Sequence, residues 1–260
     1  MDDQSNPQIR LEQDGPVACL YIDHARKHNA LTFDMWESIP GLLQRLDQDP
    51  GCRLAVIRGA GRDAFAAGSD ISQFGALRST PEGVARYNAT VSGAIDSLRA
   101  FRKPLVARIH GYCIGAGLAL AIHCDLRYAT EDAFFAIPAG KLGLAYQHLW
   151  LQRLASLVGP AHAKEIMLTA DRYSARQAVD MGLINRVCND DAFTEIAASI
   201  CAMAPLTQQA SKIAIDQSAS PGPYDYEACE AALKRCFASR DYVEGQAAFR
   251  EKRKPEFTGC

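Results

Sequence analysis

The sequence has no surplus of either charge: 28 Lys and Arg against 30 Asp and Glu leave a formal net charge of -2 and a pI near 6.3. The lack of a basic field argues against non-specific nucleic-acid binding and attachment to anionic membranes, and any anionic ligand has to be met by local cations. There is no Cys-x-x-Cys pair, and the nine cysteines are scattered and odd in number. That pattern argues against a zinc site or a disulfide framework and for buried reduced thiols. No apolar run approaches the ~20 residues that cross a bilayer. Met1 to Arg10 is polar and lacks the apolar core of a signal peptide, so the cytoplasm is the expected location. Short repeats and low-complexity segments are absent too. Apolar residues are not scarce: 48% hydrophobic content over 260 residues can bury a large core, as one broad domain or one domain with a small appendage.

Apolar periodicity divides the chain in two. Residues 8–12 and 17–22 flank Asp14, Gly15 and Pro16, the pattern of a β-hairpin. A helix follows from Thr32, a suitable cap, with Asp34 and Glu37 in its first turns and Phe33, Trp36, Leu42, Leu43 and Leu46 as an apolar stripe. Residues 54–58 and 105–109 are short buried-strand patterns that each run into a glycine-rich turn, and 124–129 and 133–137 read as further strands. Pro81 to Phe101 spaces Val84, Tyr87, Val91, Ile95 and Leu98 along one face of a long helix. Gly117 to Ile122, apolar almost all round, predicts a buried helix. Leu149 to Val158 reads as a helix stopped by Gly159 and Pro160. After Val187 only helical periodicity remains, over 192–203, 205–217, 224–239 and 241–252. The expected organisation is an α/β core over 1–200 and a helical region over 201–260.

Two segments carry the candidate chemistry. In Asp63-Ala-Phe-Ala-Ala-Gly-Ser-Asp-Ile71, small residues let a ligand approach the main chain, and Gly68 can adopt angles that aim the next N–H outward. Alone, this segment also fits an ordinary strand-to-loop exit. Ile109-His-Gly-Tyr-Cys-Ile-Gly-Ala-Gly-Leu-Ala119 is a strand, a glycine-rich turn and the start of the buried helix, whose first N–H groups are free to meet negative charge. Its spacing is GxxxGxG rather than GxGxxG, no acidic residue follows at the distance a dinucleotide fold requires, and no Gly-Lys-Ser/Thr follows either. A dinucleotide fingerprint and a Walker loop are both excluded.

The order of these segments, the Ala-Gly-x-Asp of the first, the GxxxGxG of the second and the Cys124-Asp125 that closes the buried helix resemble the crotonase, or enoyl-CoA hydratase/isomerase, family. Lys27-His-Asn-Ala-Leu31, Ala178 to Arg186 and Phe249 to Pro255 extend the likeness over nearly the whole chain. The resemblance implies an α/β fold, a crotonase-like spiral of ββα turns, with 201–260 as a helical region that builds a homotrimer, often doubled to a hexamer. It implies an acyl-CoA thioester as substrate, with CoA part of that substrate and neither a separate cofactor nor a metal. It also implies a backbone oxyanion hole whose two N–H groups fall at Ser69 and Ala116 and stabilise an enolate; preorganised donors in a dry pocket act on charge that develops in the transition state.

The resemblance breaks at the two glutamates of the family's hydratases. Ala119 and Ala139 align with them, and a methyl group neither takes a proton nor orients water. The aspartate of some other members aligns with Gln147, whose amide can orient water or substrate. Beside it, Tyr146 is a possible hydrogen-bond donor, and His148 has the pKa range for proton transfer near neutrality, although a loop histidine is commonly structural or solvated. Asp125 is expected to hold local backbone and His123 to pack at the buried helix end. For CoA, the resemblance places Arg26, Lys27 and Ala30 along the cleft, the adenine against the backbone of Ala67, Gly68, Asp70 and Ile71, and Lys252 or Arg253 toward the phosphates; each cation reads equally as a solvated surface charge. Apolar residues of the helix at 81–101 are expected to wall the acyl pocket. Two functions stay open: a lyase- or isomerase-class enzyme on acyl-CoA, in which ordinary hydratase activity is not expected, and a protein that binds or senses acyl-CoA without turnover. RNA association would need a basic stripe, which is not there.

Overall fold

In the computed structural model, which describes residues 6–219 and 223–260, the chain enters its fold as a hairpin. Met1 to Ser5 of the polar N-terminal stretch lie outside the described residues. Strands β1 (Gln8–Asp14) and β2 (Val17–Asp23) pair antiparallel across Gly15, whose φ of 55° is the left-handed conformation this turn needs. Helix α1 (Phe33–Gln48) is capped by the Thr32 hydroxyl, which accepts from the Met35 N–H at 3.3 Å, and it buries Met35, Trp36, Ile39, Leu43 and Leu46.

A unit of strand, strand and helix then recurs three times. The first is β3 (Leu54–Gly59), β4 (Ala64–Ala66) and, after the short α2 (Phe74–Leu77), α3 (Pro81–Ala100). The second is β5 (Leu105–Ile109), β6 (Tyr112–Ile114) and α4 (Ala116–Ile122); the third is β7 (Leu126–Ala129), β8 (Phe134–Ala136) and α5 (His148–Thr169). Next come β9 (Tyr173–Ser174), α6 (Ala175–Asp180), β10 (Arg186–Val187) and α7 (Asp190–Cys201). Each unit's first strand extends a six-stranded sheet ordered β1-β2-β3-β5-β7-β10, parallel from β2 onward. Each second strand joins a four-stranded sheet ordered β4-β6-β8-β9. The architecture is therefore a spiral of ββα turns.

Both faces of the large sheet are covered, which is why its central strands are apolar runs rather than alternations. Ala55, Ile57, Leu105, Ala107 and Ile109 belong to the main core, while Leu54, Val56 and Val106 pack with Ala197, Phe193 and Ile200 of α7. Beyond Cys201 the regular elements among the described residues are all helices: α8 (Pro205–Ala219), α9 (Tyr226–Phe237) and α10 (Arg240–Glu251). Lys212 of α8 meets Asp125 at 2.9 Å, and Arg53 donates to the carbonyls of Met203 and Phe257, so this region is tied to the α/β body.

Two expectations need correction. Gly159 does interrupt α5, with φ 75° and ψ 161°, but the helix resumes at Pro160 and runs to Thr169, because proline suits a first helical turn. All nine cysteines are free, yet only Cys52, Cys113 and Cys124 are fully buried and Cys260 is exposed. Among the described residues no helix is long and apolar enough to cross a membrane.

Candidate active site

The site begins with the parallel pairing of β4 and β6, in which Ala64 lies beside Tyr112 and Ala66 beside Cys113. Parallel neighbours end on the same side, so the loops that follow, Ala67-Gly68-Ser69 and Gly115-Ala116, emerge together. Their glycines nearly touch: a Cβ on Gly115 would stand 3.9 Å from the Gly68 Cα, and one on Gly68 would stand 4.0 Å from the Ala116 N. Both have positive φ, 111° at Gly68 and 56° at Gly115, angles that L side chains rarely adopt. Gly117 brings α4 against β4 so closely that a Cβ would stand 2.4 Å from the Ala66 carbonyl oxygen.

The first loop is pinned from its far side. Leu31 donates its N–H to the Gly68 carbonyl at 2.7 Å and accepts from the Asp70 N–H at 2.8 Å. The Gly68 carbonyl points at Leu31, and a trans peptide sets its C=O and N–H in opposite directions, so the Ser69 N–H of the same peptide group faces away from Leu31. Leu31 is held by the turn before it: the buried Asn29 side chain donates to the Ala60 and Ala64 carbonyls at 2.9 and 2.7 Å and accepts from the His24 N–H. The Ala116 N–H, at the first position of α4, has no carbonyl one turn earlier to bond. Among the described residues neither the Ser69 nor the Ala116 N–H has an acceptor.

These loops open into a cavity of about 150 Å³. Tyr87, Asn88 and Val91 of α3 form one wall, Ala139, Leu144, Tyr146 and Trp150 another, and Ile71, Phe74 and Arg78 lie along the segment leading into α3. The Tyr87 hydroxyl donates to the Ser69 Oγ at 3.1 Å. Tyr146 lies over the second loop, where a Cβ on Gly115 would stand 3.4 Å from its hydroxyl. Burial pushes both phenols above the ordinary tyrosine range, and at Tyr146 the neighbouring Tyr87 adds to the shift. Both therefore stay protonated and can donate. Among the described residues no Asp, Glu, His or Lys lines this cavity.

Of the sequence-derived candidates, Ala67, Gly68, Ser69, Ile71, Ala116, Tyr146 and Gln147 come together around the cavity, and Ala139 lines it. Ala119, one turn beyond Ala116 in α4, is fully buried. Gln147 is engaged at both ends of its amide, accepting from the Ser92 hydroxyl at 2.8 Å and donating to the Asn88 carbonyl at 3.5 Å, so it ties the loop before α5 to α3. His148 is exposed at the start of α5 and is not part of the cavity wall. Asp70 faces Lys27, whose ammonium bonds its two carboxylate oxygens at 2.9 and 2.8 Å, and accepts from Ser72. Burial opposes its charge, but these bonds outweigh burial and hold its carboxyl below the usual range. Ala30 is buried in the turn that carries Leu31, and Arg26 precedes Lys27 in the same turn. Lys252 ends α10 in a left-handed conformation, φ 55°, away from the cavity wall, while Arg253 pairs with Glu244 and Glu251. Asp125 holds backbone, accepting from the Leu105 N–H at 2.7 Å, and His123 packs with its Nδ1 2.7 Å from the Ala119 carbonyl.

Sequence reasoning missed Arg78 and Trp150 as cavity residues and took Tyr87 for part of an apolar stripe. For Tyr87 the available signal was a phenol in an otherwise aliphatic row, since a buried tyrosine hydroxyl normally has a partner.

Residues 12–260 match the enoyl-CoA hydratase/isomerase family. The chain is 34% identical to a peroxisomal Delta(3,5)-Delta(2,4)-dienoyl-CoA isomerase of Arabidopsis thaliana, over 96% of this chain and 95% of that protein. It is 33% identical to a crotonyl-CoA hydratase of Syntrophomonas wolfei, over 96% and 97%. Among solved structures, an enoyl-CoA hydratase/carnithine racemase from Magnetospirillum magneticum superposes with a TM-score of 0.90 at 35% identity, covering 96% of this chain and 95% of that one.

Proposed function

Because the chain belongs to the enoyl-CoA hydratase/isomerase family, we propose that it binds an acyl-CoA thioester with the carbonyl oxygen between the Ser69 and Ala116 N–H groups, and acts on it without a hydratase's carboxylate pair. One observation carries the reading: two N–H groups without acceptors, brought face to face by a pair of positive-φ glycines at the wall of a cavity. When charge shifts from the α-carbon onto the thioester oxygen, donors already in place stabilise it without reorganisation; loss of one such donor elsewhere costs ~2.7–4 kcal/mol. Tyr146, neutral and beside Gly115, can give its proton to the α-carbon of the enolate formed when water adds at the β-carbon, and the proton that this water loses restores the phenol. CoA leaves the cavity past Ile71, its adenine against the backbone of 67–71.

Hydration of a 2-enoyl-CoA needs an oriented water and a delivered proton. Methyl groups at 119 and 139 supply neither, and each missing acid–base group typically removes ~10²–10⁴-fold in rate. The same wall, to which no carboxylate belongs among the described residues, favours a second reading in which acyl-CoA is held and not converted.

Calorimetry with short and long acyl-CoAs, together with the loss of enoyl absorbance on mixing with 2-enoyl-CoAs, tests both readings. The expected result is micromolar binding, with hydration at least ~10²-fold below that of a glutamate-bearing relative and abolished by Tyr146→Phe. Binding with no product over hours would establish the second reading. Full hydratase turnover, indifferent to Tyr146→Phe, would overturn the first.

A further inference from the structure

We infer that the acyl group taken by this site carries a negative charge of its own, as in the thioester of a short dicarboxylic acid whose free carboxylate is received by Arg78. The inference rests on the acyl-CoA reading above and adds the class of acyl group.

Among the described residues Arg78 is the single ionised one in the cavity wall, which otherwise consists of apolar side chains, hydroxyls, amides and main chain. Among the described residues its guanidinium pairs with no carboxylate, unlike Arg102 with Asp47, Arg176 with Glu131 or Arg253 with Glu244. Asp70, the acid next to the Ser69 loop, is already taken up by Lys27 and Ser72. Two rings steady the Arg78 head group instead: its central carbon lies 4.7 Å from the Phe74 centroid and 5.1 Å from that of Tyr87. Cation–π contact uses the flat face of a guanidinium and leaves its edge donors for a ligand, and two of them side by side match a carboxylate.

The position relative to the proposed oxyanion site sets the length of the acyl group. Tyr87 touches Arg78 through its ring and Ser69 through its hydroxyl, at 3.1 Å, so one side chain separates the cation from the loop that holds the carbonyl. A cavity of about 150 Å³ has room for a benzene-sized group, which suits an acyl chain of about four to six carbons. Arg78 is half-buried, and a neutral chain of that length would take further water from it with nothing to pair it, a cost that selects against such a chain; a terminal carboxylate offsets the cost.

The test is calorimetric titration with pairs of saturated thioesters matched in carbon number: succinyl-CoA against butyryl-CoA, and glutaryl-CoA against valeryl-CoA. Wild type is expected to bind the carboxylated member about tenfold or more tightly. In Arg78→Met that preference disappears, the carboxylated member binding more weakly and the neutral member no more weakly than to wild type because the unpaired cation is gone, and Arg78→Lys, which keeps the charge without the fork, retains part of it. Wild-type preference alone decides the matter if Arg78→Met does not fold. Equal affinities within each pair would overturn the inference and leave the acyl-CoA reading intact. Equal weakening of all four ligands by Arg78→Met would also overturn it, by placing the arginine on the CoA phosphates. Failure of all four to bind wild type would sink both.

Discussion

Tyr146 and Tyr87 are the neutral donors of a cavity that also holds the charge of Arg78. Burial keeps both phenols protonated, so each is a donor at any physiological pH, one over Gly115 and one on Ser69. The proposed oxyanion donors are main-chain groups, and most substitutions leave them in place. Proline does not. At position 116 it deletes one N–H where α4 can accept it: the site is the first of the helix, and Gly115, at φ 56° and ψ -116°, lies outside the right-handed α region that proline denies its predecessor. Ala116→Pro is therefore expected to lower turnover, or the affinity of an enolate-mimicking thioester, by about 10²-fold. Thermal denaturation should shift by only a few degrees. A variant that melts far lower would show that the N–H has a structural role instead.

At the scale of elements, the site depends on α4 lying against β4, and Gly117 is the contact. A methyl group there would meet the Ala66 carbonyl oxygen at 2.4 Å and the Ala66 Cβ at 2.7 Å, so Gly117→Ala must push the helix away. Overpacking of this kind costs about 1–3 kcal/mol, read as a lower urea midpoint at unchanged slope, and it also moves the Ala116 N–H off its line. The long elements were legible in the sequence because many residues repeat their period: α1 begins at the expected cap, Thr32, α3 begins at the expected Pro81, and the apolar Gly117–Ile122 run is buried as its composition requires. Strands β4 and β6, which aim the two loops, have three residues each, too few to show an alternation. The restart of α5 at Pro160 was hidden because Gly159-Pro160 is also a stop signal. Ser69 and Ala116, which line the cavity, were singled out by the glycines beside them and the family likeness. Arg78, Tyr87 and the Gln147 clamp were not, because their roles come from contacts between distant segments, such as Tyr87 with Ser69 and Gln147 with Ser92.

For the whole molecule, the C-terminal helices raise the question of assembly. Val243 and Phe249 of α10 and Tyr226 of α9 are exposed by 64%, 86% and 72%, more apolar surface than a helix facing only water needs. We propose that 201–260 builds a homotrimer, or a hexamer of two, through this surface. Light scattering should then report a trimer or larger, and Val243→Glu with Phe249→Glu should shift it toward monomer. A monomeric wild type would refute this.

Stability should also depend on pH through His123. Burial pushes its pKa down from 6.5 to about 4, the bond to the Ala119 carbonyl offsetting only part of the shift. The unfolded chain therefore takes up this proton first, and folding free energy of the order of 3 kcal/mol, fully present above about pH 6.5, is lost as pH falls toward 4. His123→Gln should flatten that part of the urea midpoint against pH; an unchanged slope would remove His123 as its cause.

The decisive measurement is the infrared carbonyl band of an isotope-labelled acyl-CoA thioester bound to the protein. Two N–H groups donating to one oxygen weaken its double bond, so the band is expected well below that of the free thioester in water, and closer to it in Ala116→Pro. A bound thioester with the free frequency, or with the same shift in wild type and Ala116→Pro, would show that the carbonyl does not lie between Ser69 and Ala116.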